Sequence, residues 1–295
     1  MDTPVASGTF TMYDGSITSN TATSVTGAGS VMLGTADAKF YMHGGSISEN
    51  YGAGITAWAG TATLTNGIIA MNEPESPGQS AGGVFIMSGG TFIMEGGQIS
   101  DNTNHIGAGV NMHSGTFIMS GGTISNNIGG GVAIGNLGAF YMTHNDARIE
   151  NNTTFSPLAN GGGIHVNLGT VNITGGVIAN NSARRGGGIY LSSSINMLTI
   201  TGGYIKNNVA TYDGGGIFTW RRNNSTILPA TAYSDIDIGE AVVFSGNRAG
   251  NGASAPPDNR LPHIAATTAS IWGNPLNNYD INYTGRLGYE YGLSS

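Results

Sequence analysis

The chain has no cysteine, which removes disulfides, thiolate metal sites and cysteine nucleophiles, and with them the usual clue to redox compartment. It is also poor in charge. Charged residues make up 9% of 295 positions, Lys39 and Lys206 are its only lysines, and the net charge is -7. Too few cations are present to neutralise a phosphate backbone, so no nucleic-acid partner is expected. Apolar runs fall far short of the roughly 20 residues that span a bilayer, so this segment is not expected to insert into a membrane. No charged stretch leads into an apolar one at the N-terminus, and Met1 enters a repeat almost at once. That pattern reads as a piece of a longer secreted protein, without its signal peptide. Strong helix signals are missing too. Gly supplies 50 residues, and Gly with β-branched residues disfavours helix interiors, while no G-X-Y period supports collagen. Hydrophobic residues at 39% rule out a disordered acidic chain.

What the chain does have is self-similarity. Gly90 to Asn102 reads GTFIMEGGQISDN and Gly115 to Asn127 reads GTFIMSGGTISNN; weaker copies start at Gly8, Ala38, Gly60, Gly169 and Asn196. The copy from Gly138 carries an insertion, and the last clear one runs from Asp235 through Phe244 to Asn247. A second signature follows most copies: GAGIT from Gly52, GGVFI from Gly82, GAGVNM from Gly107, GGGVAI from Gly129, GGGIHV from Gly161, GGGIYL from Gly186 and GGGIFT from Gly214. Each period thus holds three short apolar segments, and closing Asn residues recur mostly every 22 to 30 positions, the size of a solenoid turn.

In the first segment Phe92 and Met94 are two apart, as are Phe117 and Met119, Phe140 and Met142, Val171 and Ile173, and Leu198 and Ile200. A period of two is a strand period, so each pair faces one way, with Thr61, Thr91, Thr116 and Thr170 pointing out. Ile47, Ile69, Ile99 and Ile124 supply the inward residue of the second segment, and Ile55, Val84, Val110 and Val132 that of the third. No coil buries these alone, but coils stacked about 4.8 Å apart close a continuous core. The predicted fold is all-β: a single right-handed parallel β-helix of about nine to ten three-strand coils. It occupies residues 1–247, with 248–295 as a C-terminal capping segment that is Pro-containing at Pro256 and Pro257 and Tyr-rich at Tyr279, Tyr283, Tyr289 and Tyr291. The closing residues Asn20, Asn50, Asn72, Asn102, Asn127, Asn152, Asn181, Asn208 and Asn247 are expected to form an internal ladder, because Asn tolerates the left-handed region and its amide bonds the next Asn. The Gly pairs are read as tight corners that a Cβ would obstruct.

The alternation of GGGI-type strands with I-x-x-N or FSGN turns resembles the pectin-lyase-like superfamily of β-helices. In repeat style it is similar to polymorphic outer-membrane proteins and adhesin-like surface proteins. The resemblance covers roughly Gly8 to Asn247. It implies a stiff extracellular or cell-surface stalk, or a ligand-binding domain anchored by parts outside this segment.

Alternation after the third-segment glycines places two outward columns. The first holds Thr56, Phe85, Asn111, Ala133, His165, Tyr190 and Phe218; the second holds Trp58, Met87, His113, Gly135, Asn167, Ser192 and Trp220. Trp58, Phe85, Asn111, His113, His165, Asn167, Tyr190, Phe218 and Trp220 form the candidate ligand face, since rings stack on pyranose faces while amides and imidazoles bond hydroxyls. The competing reading is that these aromatics cover the sheet or pack under loops. Expected partners are a glycan or a host or sister surface protein, with end-to-end or lateral self-association as a further option.

For an enzyme, hydrolysis needs two carboxylates across one bond, and this face carries no Asp or Glu; Glu73, Glu75 and Asp213 lie in separate loops. A polysaccharide lyase is the alternative, with Arg184, Arg185, His165, Tyr190, Asp213, Arg221 and Arg222 on neighbouring coils as the cluster to supply base and cations. Paired loop arginines are also ordinary solvated surface. The GQSAG at Gly78 to Gly82 matches a nucleophile elbow only in letters, because that motif needs a strand-to-helix turn. Histidines are scattered and no HExxH occurs, so no metal or cofactor is expected, loop-bound calcium staying open. Outward Thr columns suit an ice-binding solenoid, but Ile93, Ile118, Tyr41 and Tyr141 interrupt them.

Overall fold

A computed structural model describes residues 8–21, 29–74, 82–193, 197–221, 231–255, 261–266, 268 and 273–283. Glu75, most of the GQSAG stretch, Arg222, Pro256, Pro257, Tyr289 and Tyr291 lie outside the described residues. The described residues contain no helix; the 27 strands pair in parallel throughout. Strands such as Thr91–Met94 and Thr116–Met119 build one face, Gln98–Ser100 and Thr123–Ser125 the next, and Val110–Met112 and Val132–Ile134 the third. The fold is a parallel β-helix.

Like residues stack on like. Phe92 registers with Phe117 and Phe117 with Phe140, Met94 with Met119, Ile99 with Ile124, and Val110 with Val132. All of these are buried in one core that runs the length of the column. The Phe92 and Phe117 rings lie 5.3 Å apart, and Phe117 and Phe140 4.8 Å apart. The intervening residues, Thr91 and Ile93, stay partly exposed, so the two-residue period becomes an inside and an outside.

The asparagine ladder forms and is directional. Asn102 donates both its backbone N–H and its Nδ2 to Oδ1 of Asn127, each at 3.0 Å, and Asn127 does the same to Asn152 at 3.0 and 2.9 Å. The Nδ2 of Asn127 also donates to the carbonyl of Ile99 in the coil before it, at 3.1 Å. These amides are fully buried, where an unmet donor or acceptor is costly, and the ladder meets the needs of the corner without water. The expected left-handed backbone is displaced by one residue. It is the residue before each ladder Asn that has positive φ, for example Asp101 at 58°, Asn126 at 58° and Asn151 at 59°. The turn needs its sharp bend one step earlier, which leaves the ladder Asn free to aim its amide along the column.

The glycine signature makes the tight corners expected, with positive φ at its opening residues Gly107 (65°), Gly129 (128°) and Gly161 (76°), and a Cβ is obstructed further along it as well. Gly109 has ordinary backbone geometry, but a Cβ there would lie 2.5 Å from the Gly131 carbonyl oxygen, 2.7 Å from Cγ2 of Ile124 and 3.1 Å from Nδ2 of Asn127. Glycine is required because the third strand begins against the ladder itself.

The stack is a little shorter than nine to ten coils. The third face has eight strands, so about seven steps separate its first from its last. Among the described residues the copy ending at Asn247 supplies no third-face strand, and the tail takes that place through a bridge from Ile217 to Ile281. Pairing continues past Asn247, since Arg248–Ala249 joins Val209–Ala210. Beyond it, bridges from Ile238 to Ile264 and from Phe244 to Thr268 lay the tail across the last coil, with Tyr283 buried.

Candidate functional site

The first outward column stacks in the expected register, Thr56 on Phe85, Asn111, Ala133, His165, Tyr190 and Phe218 in turn. Facing out from the sheet does not make it accessible. Thr56, Phe85, Ala133, Tyr190 and Phe218 are buried, while Asn111 and His165 are partly exposed. In the second column His113, Asn167 and Trp220 are exposed and Trp58 is partly so. Trp58 lies just past its strand, with its amide donating to the Leu33 carbonyl at 3.1 Å.

Five of the nine face residues come together. Phe85, Asn111, His113, His165 and Asn167 line an open cleft of about 230 Å³, completed by Ile106, Met112, Ala133, Ile134, Gly135 and Asn136. Its polar rim is pre-set. Nδ2 of Asn136 lies 2.7 Å from Nε2 of His113, so that nitrogen accepts. Asn167 takes a 3.0 Å bond from the Ser192 hydroxyl, and Nδ1 of His165 lies 3.1 Å from the Asn160 carbonyl, so that nitrogen donates. Ile106 and Asn136 were not visible as site residues, because they sit in turns whose path the strand period does not specify.

Burial holds the His165 pKa below 6.5, and the bond to the Asn160 carbonyl only partly offsets this. The sign follows: below pH about 6.5 the unfolded chain takes up a proton that the folded chain refuses, so His165 costs stability as pH falls through that value. Replacing it by Gln is expected to flatten the acid side of the stability profile between pH about 6.5 and 5, read by denaturant titration at each pH. An unchanged slope would remove His165 as its source.

The lyase cluster assembles only in part. Arg184 lies over the Tyr212 ring at 4.8 Å, and the buried Arg185 lies 5.5 Å from Tyr212 and 5.6 Å from both Phe218 and Trp220. Trp220 Nε1 donates to the Tyr190 hydroxyl at 2.9 Å. Burial raises the Tyr190 pKa against the pull of that bond and of the two arginines, so it stays a phenol rather than a base at neutral pH. The buried Asp213 accepts from Asn251 at 2.8 Å, and Arg221 turns to the Ser234 hydroxyl at 2.8 Å. Glu73 bridges to Tyr51 elsewhere on the column. Cations set between rings in this way pin loops onto the sheet. Among the described residues no three His, Asp or Glu side chains gather as a metal set, and no helix is long and apolar enough to cross a membrane. No protein-family model, curated protein or solved structure matches this chain.

Proposed function

We propose that this chain is a structural and adhesive β-helix module of the cell exterior, of the pectin-lyase-like or adhesin-like kind, that binds a glycan at the cleft around Asn111 and Asn167. The observation that carries the reading is the cleft itself. Phe85, Ala133 and Ile106 give the cleft its apolar side chains and Asn111, His113, Asn136 and Asn167 its polar ones, which suits a sugar ring with one apolar face and hydroxyls at its edge. The column beneath is rigid, so the rim groups are held in place before a ligand arrives.

On a glycan array the intact chain is expected to select a small set of sugars, and Asn111→Ala combined with Asn167→Ala to weaken binding at least about tenfold, as two lost hydrogen bonds imply. Equal binding by the double variant would remove the cleft from the account. The enzyme alternative has its own readout: acidic polysaccharides are incubated with the chain while ultraviolet absorbance of an unsaturated product is followed. No product is expected. A robust signal abolished by Arg185→Ala would replace the adhesive reading with a lyase.

A further inference from the structure

The two ends of the ladder differ. At the C-terminal end Asn247 donates its Nδ2 to Oδ1 of Asp280 at 2.9 Å. The other oxygen of Asp280 accepts from Thr268 at 2.8 Å and from Asn277 at 2.9 Å, and Asp280 is fully buried. Every rung passes donors towards this end, and a carboxylate, which when ionised only accepts, finishes the series.

Among the described residues the N-terminal end has no such stop. Asn20 donates its N–H and Nδ2 to Asn50, each at 3.0 Å, yet among the described residues nothing donates to its own Oδ1. Its Nδ2 bonds the carbonyl of Thr18 in its own turn, as Asn127 and Asn152 bond Ser125 and Glu150, but among the described residues it lacks the second bond that those rungs make to the inward Ile of the preceding coil. Asn20 is exposed, whereas the other ladder Asn residues are buried. The core is cut open at the same level: Phe10 is 47% exposed above Phe40, which is 1% exposed, and their rings stack at 5.2 Å. Among the described residues, strands Thr9–Met12, Ser16–Thr18 and Gly29–Leu33 are all terminal in their sheets. One coil further on, the amides of Lys39, His43 and Ser46 donate to the coil before them at 2.9, 2.8 and 2.9 Å. By register the matching amides here are Thr9, Tyr13 and Ser16, which point at the open end.

We infer that this end is a coil-accepting surface, and that its occupant is the last coil of a preceding stack of the same repeat type. That coil runs parallel, sets an apolar side chain over Phe10, and closes on an Asn whose N–H and Nδ2 donate to Oδ1 of Asn20. Ladder polarity excludes the simplest rival. Two copies of this chain meeting by these ends would oppose two Asn20 acceptors, and the far end of a second copy is sealed by Asp280. A free single coil fails as well, since it buries no face alone.

The test joins one period of this chain, residues 90–114, directly to Gly8, which stands where Gly115 follows that period in the chain. Amide exchange at Thr9, Tyr13 and Ser16 is compared with the unextended chain. At least about tenfold slower exchange and a higher thermal midpoint are expected. A second variant carries Asp in place of the added copy of Asn102; it sets a carboxylate against Oδ1 of Asn20 and is expected to return both readouts towards those of the unextended chain. Unchanged exchange in the extended chain, or equal protection with Asp, would overturn the inference. Sedimentation of the unextended chain gives the remaining arm: a dimer with these three amides protected would make a second copy the occupant and overturn it too.

Discussion

Asn127→Ala is expected to lower the stability of the fold by roughly 3–6 kcal/mol, although it deletes only a small polar group. The substitution leaves the N–H and Nδ2 of Asn102 without their shared acceptor and takes the Asn127 donor from the carbonyls of Ile99 and Ser125, of which Ser125 keeps the N–H of Asp101. The two stranded Asn102 donors sit at a buried corner between coils, where no water replaces the lost partner and each unmet group costs about 1–3 kcal/mol. The same change at the open end, Asn20→Ala, exposes no buried group and is expected to cost less than about 1 kcal/mol. Chemical denaturation of the two variants reads the contrast. Equal losses at Asn20 and Asn127 would mean that the ladder is not what holds the corners.

The second large effect is in the core. Phe117→Ala removes a fully buried ring held between Phe92 and Phe140, and is expected to cost about 3–5 kcal/mol. The cavity stays open because both neighbours are fixed by strand register, Phe92 from one side and Phe140 from the other, so neither backbone closes in without breaking hydrogen bonds to the next coil. Phe10→Ala removes the same side chain from the open end, where it keeps half its exposure to water; about 1 kcal/mol is expected there. A comparable loss at both positions would show that coil stacking does not distinguish end from middle.

The parts of this fold readable from the sequence are those set by strand alternation and repetition. Phe92 and Met94 turn inward because a period of two leaves no other choice once the Thr beside them faces water, and repetition aligns them with Phe117 and Met119. The same rule correctly stacked Tyr190 under Phe218 and His165 under Tyr190. It did not reveal that Phe85, Tyr190 and Phe218 are covered, because cover comes from loops such as the two on successive coils that carry Arg184 with Arg185 and Tyr212, and their course follows no period. Ile106 and Asn136 escaped notice for that reason. Asp280 was hidden differently: it follows Asn247 in space after 33 residues of chain with no repeat signature, so nothing marked it as the end of the ladder. The need for Gly109 came from the neighbouring coil rather than from its own backbone, which a corner rule based on φ does not detect.

Because the chain has no native cysteine, introduced pairs report its register without background. Thr91 and Thr116 face outward on adjacent coils and are Cα partners, and neighbouring strands lie about 4.8 Å apart, within disulfide range. The variant with cysteine at both positions is expected to form an intramolecular disulfide on mild oxidation, while cysteines at Thr91 and Ile118, two residues out of register, remain reduced. Failure of the first pair, or equal oxidation of the second, would contradict the in-register stack on which the ladder, the core column and the cleft all rest.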